Sequence, residues 1–294
     1  MATSASDRKS FFGTFRGKKN GRSDMTFFDH IEDLRWHMVR SIIAFGVFAI
    51  IVFIFRDWVF DNLVTAPTKP DFISYRALCK LGHLLHVGDS LCMTPVSINF
   101  QINTINGTFA CAISMAVVGG LIAAFPYILW ELWRFIKPAL SPKEISYARG
   151  SIFWVSFFFF CGAAFGYYLL APFTYNFLAQ FSLGKHTVIR YIPSITDYTD
   201  SLTNIMLGCG FAFELPVFCY VLARLGIITG AFLRKYFRVA IVIILIVAAI
   251  ITPSPDWTSQ LIVAAPLTLL YWISILLTEK VDKEKADKES KEWS

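Results

Sequence analysis

Six apolar segments divide the chain. They are Ser41–Phe55, extending towards Val64 around Arg56 and Asp57, then Phe109–Trp130, Ile152–Ala171, Leu202–Ala223, Phe237–Ile251 and Ser259–Leu277. A helix needs about 20 apolar residues to cross a bilayer. The pattern therefore predicts an all-α, polytopic membrane protein with six transmembrane helices. The fifth and sixth spans are short. Thr252–Pro255 stops the fifth early, so it falls short of the bilayer or thins it locally.

The polar stretches between these segments differ in kind. Thr26–Arg40, TFFDHIEDLRWHMVR, is the last one before the chain turns apolar. Thr26 and Asp29 make a capping box, and Phe27, Ile31, Leu34 and Met38 share one helical face. Asp29, Asp33 and His37 lie on another. This spacing predicts a short amphipathic helix at a membrane surface, presenting carboxylates to water. Its bland alternative is a solvated face that only anchors the first span. The stretch 57–108 is long and holds Pro67, Pro70, Pro95, Gly82 and Gly88, which suits a cap of short helices. With 172–200 it makes up the cap of a 26–278 membrane domain. Pro253–Thr258 is brief, so the last two spans form a hairpin. Residues 1–25 are a basic, disordered tail without signal-peptide features, and 279–294 a charged one.

Composition agrees with this class. Hydrophobic residues make up 55% of the 294 and charged residues only 16%. The net charge of +6 does not imply nucleic acid, because Lys and Arg gather on cytoplasmic segments of membrane proteins. With the N-terminus inside, 21 of the 27 Lys and Arg lie on inside segments. Both termini are therefore expected in the cytoplasm. Cys79 and Cys92 share the long outer loop, where an oxidising periplasm permits a disulfide.

Several enzyme classes are set aside by what the chain lacks. It has no HExxH and no GxxxxGK[ST], and none of its five histidines falls in an apolar run. No metal or cofactor pattern is present, and the chain does not read as an enzyme. Glu214, in FAFELPVF near the middle of the fourth span, is the ionisable group deepest in lipid. A carboxylate there costs roughly 3 kcal/mol on insertion scales and is a functional candidate by default. Pro216 frees a carbonyl two residues on and kinks the helix into a polar notch. Gln260, one turn after Asp256, is the candidate partner within the chain. In Trp130–Gly150, Glu131 and Arg134 mark the end of the second span. Pro138 and Pro142 stiffen the turn, and Glu144 sits near the start of the next helix. Glu144 is either a cap carboxylate or, with Asp33, one of two carboxylates facing a dication; paired guanidiniums suit such a site through bidentate forks.

HIEDLR (30–35), LVTAP (63–67), WRFIKPAL (133–140) with Glu144, FELP (213–216) and TPSPDWTSQ (252–260) together resemble the TatC family over about 26–278. That family is the multispan core of the twin-arginine protein translocase of the bacterial cytoplasmic (inner) membrane. The resemblance implies a receptor for N-terminal twin-Arg signal peptides of folded cargo. Asp33 and Glu144 would read the arginine pair, beside Leu34, Arg35 and Phe135. Glu214 and Gln260 imply a polar patch for single-span subunits of the TatA and TatB type, and Pro67 matches a proline of the outer cap. Self-association in a larger complex and use of the proton-motive force follow from the same resemblance. The chain departs from the family in having Asp33 where Glu is usual, His37 where a basic residue is common, and a long outer loop. Two other classes stay open, a secondary transporter using Glu214 and a non-transporting membrane scaffold.

Overall fold

The computed structural model describes residues 27–69, 71–84, 99–137, 151–180, 192–252 and 257–292. Among them every regular element is helical, apart from one isolated bridge between Gln101 and Ser194. The elements are α1 (Phe27–Ile54), α2 (Arg56–Val59), α3 (Ile73–Leu84), α4 (Gly107–Ile136), α5 (Ser151–Phe165) and α6 (Ala171–Gln180). They continue with α7 (Ile195–Ala212), α8 (Leu215–Arg224), α9 (Gly230–Lys235), α10 (Phe237–Ile251) and α11 (Trp257–Glu292). Five stretches are long and apolar enough to span a membrane, at 34–54, 107–135, 152–180, 195–224 and 257–287. The remaining apolar segment is the shorter α10, whose 15 residues rise only about 22 Å.

Three boundaries differ from the sequence reading. The amphipathic stretch before the first span is not a separate surface helix. It is the first turns of α1, which runs unbroken to Ile54. The third span does not stop at Ala171. A π-turn over Gly166–Leu170 precedes Pro172 and passes the chain into α6. The widened turn accommodates a residue that has no N–H to give. The last span is not short as a helix, because α11 continues through the charged tail to Glu292.

That extension is docked. Arg224 pairs with Glu284 at 2.7 Å and Arg234 with Glu279 at 2.5 Å. Asp282 Oδ2 accepts from the Gly230 N–H at 2.7 Å. Lys285 Nζ donates to the Ala223 carbonyl at 2.8 Å, closing the α8 end.

Helices in lipid gain little from apolar burial, so they associate through close packing and hydrogen bonds. Small residues mark the tight contacts here, two of which are helix backbone against helix backbone. A Cβ on Gly120 of α4 would stand 2.6 Å from Ala49 Cα and 2.7 Å from its N, both α1 backbone atoms. A Cβ on Gly162 of α5 would run into the Cys209 carbonyl oxygen of α7. α1 packs mainly on α4, and no residue of Leu34–Ile54 is buried.

The cap at the other end is tied down by tyrosines. The turns over 60–68 leave carbonyls open, and three hydroxyls fill them. Tyr167 donates to Leu63 O at 2.7 Å, Tyr198 to Val64 O at 2.7 Å and Tyr75 to Pro67 O at 2.9 Å. Pro67 is fully buried beneath them. Cys79 is disulfide-bonded, while Cys92, its sequence-expected partner, lies outside the described residues. Burial holds the Tyr75 phenol above its ordinary value near 10, so it remains a donor. Its contribution is complete below about pH 10 and fades as pH rises through the raised folded value. Tyr75→Phe is expected to cost about 1 kcal/mol and to flatten that alkaline loss. Thermal unfolding from pH 8 to 11, wild type beside variant, reads both.

Candidate functional site

At the end of the bundle opposite the cap, α1 and α4 meet around one carboxylate. Glu131 is about 1% exposed, although it lies only about one and a half turns from the end of α4 at Ile136. His37 of α1 meets its Oε2 at 2.5 Å through Nδ1. Tyr127, one turn earlier on α4, donates to Oε1 at 3.0 Å, and Arg134 to the same oxygen at 3.4 Å. A buried carboxylate is costly unless such partners satisfy it. Helical spacing brings Tyr127 and Arg134 to the same face, whereas His37 comes from ninety-four residues away. The His37 ring also contacts Phe135 edge-on, with centroids 6.4 Å apart.

This cluster positions part of the sequence-expected site. Leu34 is half-buried one turn before His37, Arg35 is exposed with its guanidinium 5.9 Å from the Trp36 ring centroid, and Phe135 is half-buried. The three therefore share one end of the α1–α4 pair. The backbone of Asp33 is in α1, but its side chain lies outside the described residues, as do Pro138 and Glu144. Glu131 and His37 are the residues that sequence reasoning missed. The signal for Glu131 was its position between Tyr127 and Arg134 on one helical face. Placing the end of the span at Trp130 concealed it.

The second candidate lies in the bundle. The fourth span breaks at Phe213 and Glu214, and α8 restarts at Leu215 with Pro216 in its first turn. Pro216 has no N–H for the Ala212 carbonyl, so the expected kink takes the form of a helix break. Glu214 Oε1 is buried there without a hydrogen-bond partner, with the α5 backbone at Phe159 beside the carboxyl. Gln260 does not partner it. Its Nε2 donates to the Leu245 carbonyl at 2.9 Å, tying α11 to α10. The amide is therefore used within the hairpin of the last two spans. Asp256 lies outside the described residues. No group of His, Cys, Asp and Glu among the described residues has the arrangement to hold a metal ion.

Comparison with known proteins agrees on one family. The profile described as "Sec-independent protein translocase protein (TatC)" matches residues 29–266. A TatC from Blattabacterium sp. subsp. Periplaneta americana is 38% identical over 268 residues, covering 91% of this chain and all of that one. A Helicobacter pylori J99 TatC is 42% identical over 190 residues, 65% of this chain and 74% of the relative. The crystal structure of a twin arginine translocase receptor, TatC, superposes with TM-score 0.66 at 28% identity, covering 86% of this chain and 99% of that one.

Proposed function

The chain belongs to the TatC family of Sec-independent protein translocase proteins of the bacterial inner membrane, and on that premise we propose that it is the twin-Arg signal-peptide receptor of its translocase. The observation that carries this reading is the Glu131–His37 contact. It fixes α1 against α4 and so supports a shared surface of Leu34, Arg35 and Phe135. Asp33 and Glu144 are assigned the paired guanidiniums, which bidentate forks recognise well. Leu34 and Phe135 supply the apolar contacts. In this reading six helices cross the membrane with both termini in the cytoplasm. The Lys and Arg distribution supports that orientation.

Glu214 is assigned to assembly. A single-span subunit of the TatA or TatB type, with a hydrogen-bond donor at that depth, would satisfy its open oxygen. The proton-motive force drives export by the complete complex, and the chain itself catalyses no reaction.

Photocrosslinking of a twin-Arg signal peptide to membranes containing this protein tests the receptor role. Crosslinks are expected at Leu34 and Phe135, and expected to disappear in Asp33→Ala, in Glu144→Ala and when the peptide arginines become lysines. Persistence in both variants would move the site, and no wild-type crosslink would end the receptor reading. Glu214→Gln is expected to leave peptide crosslinking intact. It should reduce co-purification of the single-span subunits about tenfold, because the amide offers one acceptor oxygen where the carboxyl offers two. Unchanged co-purification would remove Glu214 from the assembly surface.

A further inference from the structure

A cavity of about 750 Å³ opens at the cap end, between the end of α1, the start of α4 and the first turn of α7. Its size is that of a small-molecule site. Phe53, Phe60, Phe109, Ala112, Met115 and Ile195 form its apolar walls. None of the residues assigned to peptide recognition or subunit assembly lines it. Phe109 at its edge is 60% exposed, as is Trp58 of α2, so the opening adjoins an exposed aromatic surface at the start of an apolar span.

Three charged residues border the same cavity, Arg56, Asp57 and Asp61. The Arg56 guanidinium lies 5.5 Å from the Phe53 ring centroid, over the apolar wall. Its Nε stands 3.6 Å from Asp57 Oδ1, too far for a close hydrogen bond, and about half of the side chain is exposed. The guanidinium therefore has N–H donors to offer a ligand. A simple anion here would meet two carboxylates, and a simple cation would meet the guanidinium. A headgroup with both charges, on an apolar body, fits all three at once.

We infer that this cavity is a lipid site, taking one glycerophospholipid whose headgroup joins a phosphate to a primary ammonium. The phosphate sits on Arg56, the ammonium donates to Asp57 and Asp61, and the acyl chains lie along Phe53, Phe109 and Met115. The bound lipid wedges the end of α1 against α4 and α7. This site does not depend on the signal-peptide reading, since it lies at the opposite end of the bundle.

Native mass spectrometry of the full chain in detergent tests it, with phosphatidylethanolamine, phosphatidylglycerol or phosphatidylcholine added in turn. Wild type is expected to retain one phosphatidylethanolamine about tenfold more strongly than the other two, as one charge-assisted contact requires. Arg56→Gln should weaken retention of all three lipids, because each carries the phosphate, and leave their order unchanged. Thr108→Trp, which fills the cavity from an exposed position, should abolish retention of all three. Should Thr108→Trp fail to fold, Asp57→Asn with Asp61→Asn serves instead, because it should shift the preference towards phosphatidylglycerol. Equal retention of the three lipids by wild type, undiminished retention in folded Arg56→Gln, or an unchanged preference in folded Asp57→Asn with Asp61→Asn would overturn the site. So would an absence of retained lipid.

Discussion

Glu131→Leu is expected to destabilise the protein by about 3–5 kcal/mol and to abolish signal-peptide crosslinking at Leu34 and Phe135. The carboxylate is buried and accepts from three groups. Its removal leaves His37 facing an apolar side chain and strips Tyr127 of its acceptor. Glu131→Gln retains one acceptor oxygen of similar shape, and should cost only about 1 kcal/mol. The two variants thus separate loss of charge from loss of the contact. Unfolding midpoints measured in detergent, wild type beside both variants and beside His37→Leu, check the size of the effect. A double-mutant cycle with His37 isolates the pair, since direct neighbours do not add. Equal midpoints for Glu131→Leu and wild type would mean that the α1–α4 contact does not depend on this carboxylate.

Gly120→Val has the second large effect, by a different route. The added Cβ would meet backbone atoms of Ala49, which cannot rotate away as a side chain can. Overpacking of this kind costs about 1–3 kcal/mol in a core that can relax somewhere. Here the relief is for α1 to move off α4, because α1 has little other support. Cysteines placed at Val52 and Gly119, where a Cβ added to the glycine would stand 3.9 Å from Val52 Cβ across the same seam, report the movement. In a background without the free Cys111, Cys161, Cys209 and Cys219, oxidation should link the pair. The Gly120→Val change should then reduce the yield about tenfold, following a loss of 1–2 kcal/mol in the docked state. An unchanged yield would show that the helices accommodate the bulk locally.

How much of this was legible in the sequence depended on whether the information was local. Apolar runs are local, so all six segments correspond to helices, and the shortness of Phe237–Ile251 was evident. The disturbance at Glu214 was readable too, because Pro216 acts on its own helix. The pairing of His37 with Glu131 was not, since no short-range pattern links side chains so far apart in the chain. Gln260 failed for a related reason. Any carbonyl in reach satisfies an amide, and the sequence does not rank Leu245 against Glu214. Pro172 marked a boundary by rule, whereas the π-turn ahead of it carried the helix through. The docking of the charged tail was likewise hidden, because Glu279, Asp282, Glu284 and Lys285 look like any solvated run until the loop between α8 and α9 is brought beside them.

The reliance of α1 on one partner, α4, has a consequence for how the protein is made. Roughly fifty residues separate its end from the start of α4. During synthesis α1 enters the bilayer well before its partner exists, and it must wait there alone. It is suited to that wait, for its span is strongly apolar and none of its residues is fully buried even in the finished bundle, so lipid can cover the face that α4 later takes. The exception is His37, which waits near the membrane boundary without its carboxylate. Assembly of the pair is then a late, two-dimensional search between finished helices, completed when the Gly119–Gly120 notch slides under Val52 and Ala49. A nascent chain arrested just before α4 should already be anchored in the membrane, and should gain protease resistance in the α1 end only after Glu131 has emerged.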